Sequence, residues 1–343
     1  MKQYAHNLGY QRPAVASHDN VVRDMQEPAK FRKYLGRDKY YHDFMLFFQE
    51  EMDKKGWQQV LNEQLFKRDE LADDMLGRMF TGILHPIIHL GFGVEFEQPA
   101  IIAEALAQAA VHGSWSQLLS IEKKALERKS TGPAPTLLSL IRRARSGGRF
   151  ADLAAQYTVS PQTLQEQTDE MIRTNAIFCI ASQNPKHIVK MDFFLIHSLN
   201  SSIFFSRFLN ADWIEEKDKV RLLEWKARAD IDMYLSNGSP ELLWNEVTSY
   251  KPKCPSHGWK EIFERTYRYE EDGHCVKMVR ALANGYQLAS GQVEDITVTR
   301  DDWLTMAHMA IDSEESGGPP FVRGSWWGVP LREGQANGSC RLA

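Results

Sequence analysis

The chain has 343 residues, of which 43% are hydrophobic and 25% charged, so it can bury a large core and lacks the composition of a disordered protein. The formal net charge is −4 and the basic residues are scattered, which gives no basic patch for nucleic acid. No stretch reaches about 18 uninterrupted apolar residues and the start lacks an apolar signal region, so we expect a cytoplasmic protein without nucleic-acid or membrane partners.

Apolar residues recur at helical spacing along most of the chain, and long alternating β patterns are absent. The segments with this spacing are 36–56, 70–90, 98–113, 162–183, 186–209, 211–235, 259–289 and 301–313. Ser160-Pro161 and Ser239-Pro240 each place a capping hydroxyl before a proline at the first helical position. We therefore predict an all-α fold, a large irregular helical domain of roughly ten or more helices.

Three regions are expected along the chain. Residues 1–35 form an N-terminal segment, 36–315 the helical domain, and 316–343 a glycine-rich C-terminal tail that is extended or partly disordered. The proline-containing stretches 130–136 and 251–258 are too short to be free linkers.

Standard cofactor motifs are absent from the sequence. There is no P-loop, and Gly91-Phe92-Gly93 lacks the third glycine and preceding strand of a dinucleotide fingerprint, so a flavin or nicotinamide fold is disfavoured. No G-x-S-x-G elbow is present, which argues against an α/β-hydrolase. The four cysteines are too far apart for a disulfide framework or zinc ribbon, and we expect reduced thiols at Cys179, Cys254, Cys275 and Cys340.

Histidines in apolar surroundings are the strongest functional signal. His85 and His89, four residues apart in LHPIIHLG, could face one point on a helix, although Pro86 stands where a zinc protease has its catalytic glutamate. Pro86, Gly91 and Gly93 predict a kinked or interrupted helix. The alternative is that one of the two histidines is a hydrogen-bonded core residue.

His197 lies in the apolar run KMDFFLIHSLNSSIFF, so its ring is expected to be buried and to need partners. Lys190, seven positions earlier on the same predicted helical face, and Asp192 are interpreted as an ion pair behind the ligand. Glu95 is a further candidate for this supporting role.

His274 and Lys277 are neighbours on one predicted helical face and are the candidate catalytic residues. A lysine drawn into the core has a lowered amine pKa and can capture carbon dioxide as a carbamate, an anionic oxygen ligand. The alternative is a lysine whose amine reaches water. His42, which heads an aromatic stretch, is a weaker ligand candidate or a core residue. Only His274 has a glutamate three residues before it, which disfavours a di-iron bundle, and imidazole alone does not name the metal.

Three blocks together resemble the questin oxidase-like family of fungal aromatic polyketide pathways. They are GRMFTGILHPIIHLGFGVEF, KMDFFLIHSLNSSIFF and DGHCVKMVRAL, and the likeness spans roughly residues 36–313. The resemblance implies an α-helical oxygenase that opens a ring of an anthraquinone-type phenol, with non-haem iron held by histidines and a carboxylated lysine. Its ligands would correspond here to His42, His85 or His89, His197, His274 and Lys277. Fungal members of the family have a cluster of histidines in the N-terminal block, whereas the corresponding stretch here, Tyr40-Tyr41-His42, contains one histidine.

We therefore expect Fe(II), dioxygen and a carbamate on Lys277 to act on a small aromatic polyketide in an apolar pocket. Phe92, Phe193 and Phe194 are candidates for stacking on the flat substrate, the alternative being core packing. Two other classes stay open: an inactive helical binding or scaffold protein, and a zinc-type metal hydrolase.

Overall fold

The computed structural model describes residues 19–128, 134–288 and 290–332. The first half of the chain forms helices α1 Asp19–Asp24, α2 Pro28–Phe31, α3 Tyr41–Lys55, α4 Trp57–Leu61, α5 Glu70–Met79, α6 His85–Glu95, α7 Pro99–Val111, α8 Ser116–Glu127, α9 Leu137–Arg145, α10 Phe150–Ala154 and α11 Leu164–Ile180. The second half forms α12 Leu195–Ser202, α13 Phe205–Asn210, α14 Glu216–Ser236, α15 Trp244–Thr248, α16 Trp259–Arg268, α17 His274–Tyr286, the strands β1 Gly291–Val293 and β2 Ile296–Val298, and α18 Arg300–Glu314.

The predicted all-α fold is confirmed, since the only regular sheet of the described residues is the antiparallel hairpin of β1 and β2, with Gly291 opposite Val298. The helices surround one continuous apolar core that includes residues from α1 to α18. None of the described helices is long and apolar enough to cross a membrane.

Both ends of the described chain pack on this core. Phe31 of α2 is buried and makes edge-to-face contacts with Phe44 and Phe47 of α3. Phe321 and Val322, beyond α18, are also buried, and the parallel bridge from Val322 to Asp192 holds them in extended form. The predicted tail is therefore extended around Val322, with turns on either side of this segment; the residues from 333 onward lie outside the described ranges. The boundaries near 36 and 316 stay predictions.

Three predicted helices are divided, and each division precedes a histidine of interest. Segment 70–90 breaks between α5 and α6, where Ile83 and Leu84 adopt left-handed backbone conformations. Segment 186–209 is helical only from Leu195, and 259–289 is interrupted before His274 by Gly273, whose φ is +93°. Apolar spacing alone did not reveal these breaks because the intervening turns are themselves partly buried.

The interruption expected at Pro86 is confirmed just before this residue, where the break between α5 and α6 falls, whereas the interruption expected at Gly91 and Gly93 is wrong. Pro86 lies in the first turn of α6, where its missing N–H costs no hydrogen bond, and the helix continues to Glu95. Gly91 and Gly93 instead allow close packing. A Cβ at Gly91 would lie 2.0 Å from the Phe204 ring, and one at Gly93 would lie 2.5 Å from the Ile102 side chain.

The prediction of reduced cysteines holds for two positions. Cys179 and Cys275 are buried free thiols, whereas Cys254 is disulfide-bonded and contradicts the expectation. Cys340 lies outside the described residues.

Candidate metal centre

Three helices bring their first turns to one point. His85 begins α6, His197 is the third residue of α12, and His274 begins α17. Helix α12 packs against both α6 and α17, so the three imidazoles meet although 189 positions separate the first from the last. One ring nitrogen of each lies within 4.8 Å of the others.

Each of these rings is oriented through its Nδ1 atom. His85 Nδ1 lies 2.8 Å from the Gly82 carbonyl oxygen, and His197 Nδ1 lies 2.6 Å from the Phe193 carbonyl oxygen. His274 Nδ1 contacts the Asp272 carboxylate. Because all three partners are acceptors, each Nδ1 carries the proton and each Nε2 keeps a lone pair.

Two of the Nε2 atoms face each other. Those of His85 and His197 are 3.3 Å apart, and His274 Nε2 is buried with no hydrogen-bond partner among the described residues. Two facing lone pairs at this distance repel unless something positive lies between them. Metal–imidazole bonds of about 2.1 Å at octahedral or tetrahedral angles separate the nitrogens by roughly 3.0–3.4 Å, so the spacing of His85 and His197 fits two ligands of one first-row transition metal.

Burial keeps two of the rings uncharged. It lowers the pKa of His85 to about 4 and that of His197 to about 3, and the neighbouring cationic groups act in the same direction. A metal ligand must be unprotonated, so both rings are ready to bind at neutral pH. The pKa of Asp272 lies well below its usual range because its carboxylate accepts a hydrogen bond from His274.

Lys277 follows His274 by one helical turn and faces inward. It is half-buried and lines the cavity beside the three histidines. Burial lowers the pKa of its amine, and no carboxylate of the described residues lies within 4.0 Å of its Nζ atom. A lysine in this setting has the lowered pKa that carbamate formation requires.

Two other candidate histidines lie outside the group of three. His89 lines the same cavity one turn along α6, but its buried Nδ1 has no partner and neither ring nitrogen belongs to the close set. His42 is half-buried on α3 and is absent from both the cavity wall and the close set. Of the HPxxH pair, the geometry thus favours His85 as a ligand.

The expected ion pair between Lys190 and Asp192 is not formed among the described residues, because the chain there is extended and the helix starts only at Leu195. Lys190 Nζ donates to the Ser313 carbonyl. Asp192 instead caps α12: its Oδ1 accepts from the backbone N–H groups of Phe194 and Leu195, at 2.9 and 3.1 Å. It therefore positions the helix that carries His197.

Glu95 pairs with Arg280 at the far end of α6 and contacts none of the three histidines through a hydrogen bond. Arg280 also lies over the ring of Phe92, which packs edge to face on Phe204. Glu95 and Phe92 thus belong to a packing cluster away from the cavity lining.

Phe193 lies against the centre itself. Its ring centroid is 5.0 Å from that of His197 and 5.1 Å from that of His274, and Phe194 packs behind it at 5.6 Å. Besides the histidines, the aromatic side chains that line the cavity are Tyr269 and Phe321, neither of which was predicted as a site residue. A Phe in a glycine-rich tail carries no periodic signal.

The cavity next to the histidines has a volume of about 980 Å³, large enough for a multi-ring molecule. Its wall is formed by His85, His89, Tyr269, Glu270, Glu271, Asp272, His274, Lys277, Glu314, Glu315, Gly317, Gly318, Pro320, Phe321 and Arg323. Glu314 is only 3% exposed, and both of its carboxyl oxygens lack partners among the described residues. Burial raises the pKa of Glu314 to about 8, and the negative charge of the nearby Glu271 acts in the same direction. The Glu314 carboxyl is therefore mostly protonated at pH 7.

Comparison with known proteins indicates the class of protein to which the chain belongs. A sequence profile described as questin oxidase-like matches residues 1–282. The chain is 37% identical to Baeyer-Villiger oxidase ptaJ of Pestalotiopsis fici, covering 89% of this chain and 76% of the relative. It is 33% identical to oxidoreductase AflY of Aspergillus parasiticus, over 93% and 71% of the two chains. It is 32% identical to a questin oxidase of Aspergillus terreus, over 94% and 79%.

The protein is therefore an all-α oxidoreductase. It belongs to the questin oxidase-like family, as the three sequence blocks predicted.

Proposed function

We propose that this protein is a metal-dependent oxygenase that opens or expands a ring of a planar aromatic polyketide, such as an anthraquinone phenol. One observation carries the proposal: three imidazoles, two of them buried, bring one ring nitrogen each to within 4.8 Å of the others beside a cavity of about 980 Å³, and each Nδ1 is held by an acceptor. Metal-binding histidines have this arrangement, in which the second ring nitrogen is fixed by a carbonyl or carboxylate.

The proposed ligands are His85, His197 and His274, with Lys277 as a carbamate supplying an anionic oxygen. Bound iron(II) would supply the activation of dioxygen. Imidazole would also suit zinc, copper or nickel, and iron is chosen because the relatives are named oxidases.

The chain's own residues define what happens around that centre. Gly82 and Phe193 hold two imidazoles through their carbonyl oxygens, and Asp272 holds the third, so the rings need no reorganisation when a metal binds. Phe193 packs against His197 and His274, and Phe321 packs against His274, so apolar rings shield these two histidines on one side. Phe321 also lines the cavity and offers a flat substrate an aromatic ring on which to stack.

Metal content tests the ligand set. Purified wild-type protein should bind close to one equivalent of iron, and His197→Ala and His274→Ala should each lose it along with oxygen consumption. His187→Ala is the matched control, because His187 is hydrogen-bonded to the Val329 carbonyl and lies outside the cavity wall. Full metal binding in both ligand variants would refute this assignment. Turnover without oxygen, with zinc bound, would indicate a hydrolase.

Lys277 has a separate test. Depleting bicarbonate should lower activity and adding it back should restore it, while Lys277→Glu should keep part of the metal affinity because a carboxylate stands in for the carbamate. A bare amine in a high-resolution density map of the metal-loaded protein would contradict the carbamate.

The fate of the oxygen atoms separates two chemistries. A dioxygenolytic cleavage puts both atoms of O₂ into the product and needs no external reductant. A Baeyer–Villiger-type monooxygenation inserts one atom next to a carbonyl, reduces the other to water, and consumes two electrons from a reductant. Mass spectrometry of product formed under ¹⁸O₂, with and without added reductant, distinguishes them.

A further inference from the structure

The outer wall of the cavity comes from a part of the chain beyond residue 282, where the family profile ends. Residues 321–324 lie along residues 191–194 through three hydrogen bonds. The Val322 N–H donates to the Met191 carbonyl at 2.8 Å, and the Phe193 N–H donates to the Val322 carbonyl at 2.7 Å. The Gly324 N–H donates to Asp192 Oδ2 at 3.2 Å. Because Asp192 also caps the helix of His197, this segment is fixed relative to the histidine centre.

Arg323 is held at the cavity by this segment. The central carbon of its guanidinium lies 3.9 Å above the centroid of the Phe193 ring, and Arg323 forms part of the cavity wall. Phe193 in turn contacts His197 and His274. A guanidinium uses its face for such stacking and donates hydrogen bonds in its own plane, so its N–H groups stay available to a molecule in the cavity.

Three other acidic side chains of the wall already have hydrogen-bond or ion-pair partners. Glu271 accepts from the backbone N–H groups of His274 and Cys275, Asp272 pairs with His274, and Glu315 pairs with Arg265. The raised pKa of Glu314 keeps that carboxyl mostly neutral at pH 7.

By contrast, Arg323 has no hydrogen bond or salt bridge to any residue in the described part of the chain. With Lys277 assigned to the metal, Arg323 is the cation of the wall that is left without a salt bridge among the described residues. It is exposed, and its charge acts against the burial that raises the pKa of the nearby Asp192.

We propose that Arg323 binds an ionised oxygen of the substrate and makes the enzyme selective for aromatic molecules that carry an acidic phenol. This inference rests on the proposed function, whose substrate class it narrows. A planar phenolate carries its charge at the edge of the ring, so it can stack beside Phe321 while its oxygen meets the guanidinium edge.

The test measures binding to the iron-loaded protein without oxygen, so that it does not depend on turnover. The probes are 2-hydroxyanthraquinone and its O-methyl ether, which has the same rings but no ionisable group. Arg323→Gln should weaken binding of the phenol about tenfold and leave that of the ether within about twofold, since one charge-assisted hydrogen bond at a partly exposed site is lost. Arg323→Lys should give an intermediate affinity for the phenol.

The visible absorption of the bound phenol gives a second readout. Its ionisation midpoint should lie below the solution value in the wild type and rise by about one pH unit in Arg323→Gln. The matched control is Arg300→Gln: Arg300 is also exposed and lies over an aromatic ring, Tyr286, but outside the cavity wall. The control should change neither quantity.

Each outcome has a distinct meaning. Equal weakening of phenol and ether in Arg323→Gln, or no weakening of either, would overturn the role of Arg323 while leaving the proposed function standing. Wild-type protein that binds neither probe would overturn the substrate class itself and this inference with it.

Discussion

Two clusters of polar side chains differ in whether their hydrogen-bonding atoms are all paired, and this difference distinguishes a structural role from a functional one. In the first, Lys226 contacts both carboxylate oxygens of Asp230, and Asn175 bonds to both partners, at 3.2 and 2.9 Å; all three are fully buried. In the second, His85, His197 and His274 are fixed through Nδ1, but the Nε2 atoms of His85 and His197 face each other and that of His274 has no partner among the described residues.

We call the first cluster closed, because its polar groups are paired with one another, and the second open, because it contains unpaired lone pairs. Lys226 and Asp230 cancel each other's charge and need nothing further from outside. Each histidine has a hydrogen bond at Nδ1, but its Nε2 lone pair is unpaired. This arrangement does not stabilise the fold by itself. Burial of polar groups alone thus does not mark a functional site; convergent groups left without partners do.

The largest expected effect is on the closed cluster. Asp230→Ala leaves the Lys226 amine buried and unpaired, so the free energy of unfolding should fall by about 3–5 kcal/mol in urea denaturation. The double variant Lys226→Met with Asp230→Leu removes both charges and should recover most of that loss. A single variant within about 1 kcal/mol of wild type would show that the pair is not the closed unit described above.

The open cluster should make the free energy of unfolding depend on pH. The pKa of His197 is about 3 in the folded metal-free protein and near its usual 6.5 in the unfolded chain, so acid protonates the unfolded state first. The stability contributed by this ring is complete above about pH 6.5 and decreases as the pH falls towards 3, by up to about 1.4 kcal/mol per pH unit. The variant His197→Gln lacks this pH-dependent contribution to the free energy of unfolding.

The measurable quantity is therefore the difference in unfolding free energy between wild type and His197→Gln, followed from pH 7 to pH 5. The difference is used because Glu170 and Glu314, with pKa values raised by burial to about 7 and 8, act in the opposite sense in both proteins. A pH-independent difference would contradict the burial of His197 as a neutral ring.

The smallest expected effect is that of His85→Ala on the metal-free protein at pH 7. Removing one of the facing lone pairs relieves repulsion and offsets the lost Nδ1 bond to Gly82, so stability should change by no more than about 1 kcal/mol. Adding iron(II) at a hundred times its dissociation constant should stabilise the wild type by about 2.7 kcal/mol and the variant much less. Thermal unfolding with and without metal measures both.

Sequence patterns predicted the helical class and the three histidine blocks because apolar spacing and buried imidazoles are local signals. They missed where helices begin. Residues 186–194 have the apolar composition of a helix, but their backbone pairs with the extended segment around Val322 and residues 329–332. For the same reason the ion pair expected between Lys190 and Asp192 was wrong, since it assumed a helical face that does not exist.

The sequence by itself determined an all-α oxidoreductase with histidines in apolar runs, and its resemblance to a known family. Only the tertiary structure decided which histidines meet, that His85 rather than His89 points at the common centre, and that Phe321 and Arg323 complete the cavity wall. The physical reason is that helix formation depends on neighbours three or four positions away in the chain. The meeting of side chains from different helices at one site depends instead on how whole helices pack and cross.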